Sequence, residues 1–126
     1  MNLVAERLSR VVRKSDVLVR WGGEEFLIVS RYTDRKDAHI LASRVIKAIR
    51  GKPFQVISGR EIRRTCSIGW AAFPWLTDGA GTIGYEEVLN LADRGLRQAK
   101  GDGKDQAIGM IPSLEGENSW VMLNQQ

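Results

Sequence analysis

The sequence holds one cysteine, Cys66, which excludes an internal disulfide and fits a reducing compartment such as the cytoplasm. No apolar run approaches the length of a membrane span, and the start lacks the apolar stretch of a secretory signal. No membrane contact by this domain itself is therefore expected. Internal repeats and low-complexity segments are absent. A strong charge excess is missing too: 19 basic and 15 acidic residues leave a formal net charge of +4. That balance is compatible with phosphate ligands or nucleic acid and is too small to choose between them. What remains is 126 residues, 43% hydrophobic and 27% charged, the content of one domain around one core.

Taken in order, Met1 to Lys14 reads as an amphipathic helix. Leu3, Val4, Leu8, Val11 and Val12 form its apolar stripe, and it has no convincing N-cap. Val17 to Trp21 and Glu25 to Ser30 read as paired strands. Thr33-Asp34 offers an N-cap for a second helix with Ala38, Leu41, Ala42, Val45, Ile46 and Ile49 at helical spacing, stopped by Gly51 and Pro53. Phe54 to Ile57 and Glu61 to Phe73 read as a second hairpin, ended by Pro74, and Leu76 to Gly84 as a loop. Tyr85 to Lys100 is a third helix burying Val88, Leu89, Ala92, Leu96 and Ala99, and Ala107 to Met110 a short strand. The order predicts an α/β (α+β) sandwich, a mainly antiparallel sheet with packed helices, over residues 1–111. Residues 112–126 read as a tail or linker, with Trp120 to Leu123 an apolar patch that docks on the body or opens a further element.

The chain is organised around Arg20-Trp21-Gly22-Gly23-Glu24-Glu25-Phe26. Two glycines between alternating strands supply the positive φ angles of a two-residue hairpin. Without side chains they also let another molecule approach the backbone. Neighbouring strand residues face opposite ways, so Glu24 and Glu25 would not both serve one site. On turn chemistry alone, this is a surface hairpin with solvated acids.

The string as a whole resembles the signature of the GGDEF family, the bacterial diguanylate cyclases, in its GGEEF form with the Arg-Trp typical before it. Further similarities follow from about Val4 to Met110. Arg13-Lys14-Ser15-Asp16, with Asp16 six residues before Gly22, resembles the RxxD product-inhibition motif. An arginine can pair bidentately with guanine O6 and N7, and a carboxylate can accept from guanine N–H groups. The ordinary structural reading is a helix end and a strand start. Arg44, on the following helix, resembles the arginine that completes that inhibitory site from a second surface. Otherwise it is a solvated flank with a buried stem.

Leu91 to Lys104 resembles the closing family segment, typically ADxALYxAKxxGRN, with Gly95 for Ala, Arg97 for Tyr and Lys104-Asp105 for Arg-Asn. Cys66-Ser67-Ile68-Gly69 resembles the TxSIG core strand and reads as packing.

The resemblance implies the GGDEF, nucleotidyl-cyclase-like fold and synthesis of cyclic di-GMP from two GTP by a homodimer with Mg²⁺. It implies Glu24 as the metal-binding acid and candidate general base, and Glu25 as its less direct partner. Gly22, Gly23, Lys100 and Lys104 become substrate contacts. Arg13, Asp16 and Arg44 become the cyclic di-GMP inhibitory site of a bacterial signalling enzyme. A lysine at 104 keeps the charge and loses the bidentate fork of arginine.

The family's first strand, with its metal-binding Asp, has no counterpart in this sequence. The expectation is therefore a domain N-terminally incomplete at its first strand, weakly active or inactive by itself. The alternative is a non-catalytic cyclic di-GMP receptor module. A nucleic-acid-binding domain ranks third, because Trp70 and Phe73 sit in an apolar pattern and are expected to be buried rather than offered for stacking.

Overall fold

The structure is a computed structural model that describes residues 2–31, 33–72, 76–77, 81–82, 84–112 and 120–125. The first helix, α1, spans Leu3–Val11. It does have an N-cap: the Asn2 side chain accepts from the Val4 and Ala5 amides at 2.9 and 3.1 Å, satisfying two of the free donors of the first turn. Val12 is already extended, so Arg13 and Lys14 lie beyond the helix in a tight turn closed by Asp16 N–H on the Arg13 carbonyl. Strands β1 (Val17–Gly22) and β2 (Glu25–Val29) form an antiparallel hairpin.

A 3₁₀ turn, Arg35–Asp37, then leads into α2 (Ala38–Arg50). The helix starts later than Thr33-Asp34 suggested. Thr33 bonds Ser30 and Arg13 instead of capping, and Asp37 takes the N-cap place without a side-chain bond. At its other end the stop at Gly51 holds.

The long strand expected from Glu61 to Phe73 is divided. Strands β3 (Phe54–Gln55) and β4 (Glu61–Ile62) close a small hairpin, turned by Gly59 at φ 81°. Residues 63–67 carry no ladder, and β5 (Ile68–Ala71) joins a different sheet. Alternation marks an extended chain; it does not say which neighbour each part pairs with. Within the expected loop, β6 (Leu76–Thr77) and β7 (Gly81–Thr82) pair with each other. Phe73 and Pro74 lie outside the described residues.

Helix α3 (Tyr85–Gly101) and strand β8 (Ala107–Pro112) follow. Strand β8 pairs in parallel with β5, and α3 is the crossover such a pair requires. The expected tail is amended: β9 (Trp120–Gln125) is an antiparallel strand on the free side of β8, while 113–119 lie outside the described residues. The fold is α+β, and among the described residues the strand pairs are antiparallel except β5–β8.

Three buried clusters hold the described residues together. Leu8, Val45, Ile49 and Phe54 are buried together, with Leu18, Phe26 and Ile28 of the first hairpin against them. The second lies under α3, where Val88 and Leu91 meet Met110, and the third joins Ala42 and Ile46 of α2 to Ala107 of β8. The buried face of α3 is Val88, Leu91, Gly95 and Ala99, one notch from the expected stripe; Leu89, Ala92 and Leu96 are half-buried. Gly95 explains the notch. It lies against Gly69 of β5, and a Cβ there would stand 2.6 Å from the Ile108 carbonyl oxygen. No helix among the described residues is long and apolar enough to cross a membrane.

Candidate functional site

The GGEEF turn forms the free end of the β1–β2 hairpin. The register sets Arg20 opposite Phe26 and Gly22 opposite Glu25, with a bulge at Trp21. Gly22 thus ends the strand, and Gly23 and Glu24 make the turn. Only Gly23 of the glycine pair is left-handed, at φ 44°. This shifts the expected two-glycine turn by one residue. It also takes Glu24 off the strand, so simple strand alternation does not set the directions of Glu24 and Glu25. Both are exposed. A Cβ built on Gly22 or on Gly23 would meet nothing within 4 Å, so the turn's backbone faces open space.

Arg20 stiffens this end. Its Nε and Nη2 donate to the Gly23 carbonyl at 3.1 and 2.9 Å, a two-pronged hold on the turn. Sequence reasoning noted the arginine without assigning it this role; its position three residues before the acceptor was the available signal. Trp21 is 63% exposed beside it.

The other end of the hairpin gathers Arg13, Asp16 and Arg44. The Arg13 amide donates to Asp16 Oδ2 at 2.8 Å. Its Nη2 reaches Asp16 Oδ1 (3.4 Å), Ser30 Oγ (3.2 Å), the Arg31 carbonyl (2.6 Å) and Thr33 Oγ1 (2.8 Å). Burial pushes the Asp16 carboxyl upward. The hydrogen bonds from the Arg13 amide and guanidinium, the Arg13 charge and a bond to Ser30 outweigh that and hold it below its ordinary value. The Asp16 side chain is 1% exposed and that of Arg13 49%. In this state Asp16 is the anchor of Arg13 rather than an open acceptor. Arg44 donates through Nη2 to the Val11 carbonyl at 3.1 Å, two residues from Arg13. Ser30 and Thr33 were not foreseen, because their proximity depends on the hairpin closing.

Lys100, in the last turn of α3, and Lys104, in the loop after it, are both exposed. They stand on another element from the GGEEF turn, and among the described residues no hydrogen bond or ion pair joins them to it. Trp70 is half-buried, with its ring over Gly109. Cys66 is half-buried, and its thiol is pushed up to about 11 by desolvation first and the nearby Asp105 charge second, which makes it inert at neutral pH.

Among the described residues, no group of three or more His, Cys, Asp or Glu side chains is placed to hold a metal. The exposed acids at the turn suit a different arrangement. Mg²⁺ is commonly held by one or two carboxylates with substrate phosphates and water, and the donors Glu24 and Glu25 fit that sharing rather than an all-protein cage.

Comparison with known proteins agrees with this geometry. The family described as "Diguanylate cyclase, GGDEF domain" matches residues 1–106. The chain is 40% identical over 106 residues to the response regulator PleD of Caulobacter vibrioides, covering 83% of this chain and 22% of that protein. It is 37% identical over 102 residues to the bifunctional diguanylate cyclase/cyclic di-GMP phosphodiesterase MucR of Pseudomonas aeruginosa, covering 81% and 14%. Its structure is similar to that of the diguanylate cyclase SiaD of Pseudomonas aeruginosa, solved in complex with its activator SiaC. The TM-score is 0.67 at 30% identity, over 81% of this chain and 36% of that one. The chain spans about a fifth of PleD and less of MucR. With the GGEEF hairpin in place and the family match running through it, the chain belongs to the GGDEF, diguanylate cyclase, domain family.

Proposed function

We propose that this domain is the catalytic module of a diguanylate cyclase, joining two GTP into cyclic di-GMP with release of two pyrophosphates. The observation that carries the reading is the bare, outward-facing Gly22-Gly23 backbone beside the exposed Glu24. Chemistry on a triphosphate needs close backbone approach, a base and cationic groups for phosphate charge. Gly22 and Gly23 admit the substrate. Glu24 takes the proton from the attacking 3′-hydroxyl, with Glu25 beside it. Lys100 and Lys104 neutralise phosphate charge as point cations. Mg²⁺, held by Glu24 together with the phosphates, would add further charge neutralisation there. Each domain holds one GTP, so the reaction calls for a homodimer with the two sites facing.

Glu24 and Glu25 are the carboxylates that this chain brings to the turn, and a hard ion held by so few protein ligands is weakly bound. Residues 1–126 alone are therefore expected to turn over GTP slowly. The test is product analysis after incubation with GTP and Mg²⁺. Traces of cyclic di-GMP lost in Glu24→Ala support the reading. Turnover that survives Glu24→Ala removes Glu24 from the mechanism.

A second reading is favoured by the gathered Arg13, Asp16 and Arg44. This is a module that binds cyclic di-GMP, either as product inhibition of the cyclase or as a receptor without catalysis. Arg13 would pair with a guanine edge, held in place by Asp16, and Arg44 would meet the second guanine or a phosphate. A bidentate arginine–guanine contact is worth about 1–3 kcal/mol. Arg13→Ala should then weaken cyclic di-GMP binding by roughly ten- to a hundredfold in calorimetric titration. Binding indifferent to Arg13→Ala would leave the RxxD match a feature of chain packing only.

A further inference from the structure

The loop joining α3 to β8 concentrates backbone strain. Gly103, Lys104 and Asp105 follow one another at φ 118°, 66° and 52°. Lys104 and Asp105 are the only non-glycine residues with positive φ among the described residues. A Cβ disfavours that conformation. Three restraints keep it. The Lys104 amide donates to the Ala99 carbonyl at 2.9 Å. Gln106, 5% exposed, donates through Nε2 to the Asp102 and Lys104 carbonyls at 3.2 and 3.1 Å. Arg50, the last residue of α2, donates through Nη1 to Asp105 Oδ2 at 3.2 Å. The other carboxylate oxygen, Oδ1, is covered and has no hydrogen-bond partner. Stability alone does not favour two left-handed side-chain-bearing residues and an unpaired covered oxygen. Outliers of this kind persist where a group must be aimed. The group aimed is the exposed Lys104, one turn beyond the exposed Lys100.

We propose that Arg50, Asp105 and Gln106 are positioning residues. They fix the backbone of Lys104 so that its ammonium, with that of Lys100, meets the phosphate chain of a nucleoside triphosphate. This rests on the reading of Lys100 and Lys104 as phosphate contacts. The sign of Asp105 separates positioning from simple electrostatics. A carboxylate next to Lys104 in the chain repels an anion, so its removal would tighten triphosphate binding if charge were its only effect. If it holds the loop, its removal weakens binding.

The experiment is calorimetric titration of the 126-residue chain with GTP and with guanosine, each with Mg²⁺. Asp105→Ala is expected to weaken GTP binding by roughly tenfold, as Lys104→Ala does, about the worth of one charge-assisted contact. Guanosine binding stays unchanged. The double variant Lys104→Ala/Asp105→Ala is no weaker than Lys104→Ala alone, because the two act as one unit. Asp105→Asn, whose side chain tolerates left-handed backbone, recovers part of the loss. GTP binding that is unchanged or tighter in Asp105→Ala, or an additive double variant, overturns the proposal. Should Asp105→Ala fail to fold by thermal melting, Arg50→Gln combined with Lys104→Ala carries the same additivity test. A wild-type chain that binds GTP no better than guanosine, or a Lys104→Ala variant without effect, overturns the phosphate-site reading and the proposal with it.

Discussion

A single guanidinium, that of Arg7, ties α1 to the end of α2. Its Nη1 donates to the Ala48, Ile49 and Lys52 carbonyls and its Nη2 to that of Pro53. Its carbon lies 3.5 Å from the centre of the Phe54 ring. The last carbonyls of a helix have no partners within it, and a cation there also meets the favourable end of the dipole. Charge-assisted bonds of this kind contribute about 1.5–3 kcal/mol, and the ring contact up to about 2 more. Arg7→Ala should lower stability by about 2–4 kcal/mol in urea unfolding. Arg7→Lys should recover less than half, because it lacks the fork. Asp16 makes a second prediction at this scale. Burial pushes its carboxyl up, and the Arg13 hydrogen bonds and charge with the Ser30 bond outweigh that and hold it below its ordinary value. The stability it contributes is therefore present above that value and lost as pH falls through the lower folded value. Acid titration of stability should show this loss in the wild type and a shallower one in Asp16→Asn.

At the scale of elements, Gly95 stands inside a helix at a point where a side chain has no room. Helix α3 and strand β5 approach so closely that a Cβ on Gly69 would fall 1.9 Å from the Ala92 carbonyl oxygen, and one on Gly95 2.6 Å from that of Ile108. Alanine gains about 1 kcal/mol of helix propensity over glycine, but the clash costs more. Gly95→Ala should destabilise by about 1–3 kcal/mol in thermal or urea unfolding, where propensity alone gives the opposite sign. Such contacts were not legible in the sequence, since a glycine reads the same whether it faces a helix or solvent. The elements themselves were largely legible, because α2, α3 and the β1–β2 hairpin each show one clear apolar period. Strand partners were not. Ile62 and Ile68 share one alternating run, yet they pair with Phe54 and Ala107 in different sheets. Of the candidate site, the GGEEF string located the turn. The sequence could not reveal that Arg20 holds Gly23 or that Arg13 spends Nη2 on Ser30, Arg31 and Thr33, because those contacts exist only once the hairpin has closed.

For the molecule as a whole, protection from solvent is uneven. Strand β8 lies between β5 and β9 beneath α3, and Ala107, Ile108 and Met110 are each 0–1% exposed. The β1–β2 hairpin buries one face only; Val17, Val19, Trp21 and Val29 remain open on the other. Amide hydrogen exchange should rank these regions far apart. The β8 amides are expected to exchange only through global unfolding. Those of Val19 to Glu25 should exchange through local opening, faster by orders of magnitude. Equal protection would mean that something covers the hairpin in solution. If exchange shows that the hairpin carrying the signature opens cheaply, part of the cost of holding it closed falls on whatever binds there. Affinity measured at the GGEEF turn will then include the work of settling the hairpin, and a substitution that rigidifies its outer face will sharpen binding without touching the ligand.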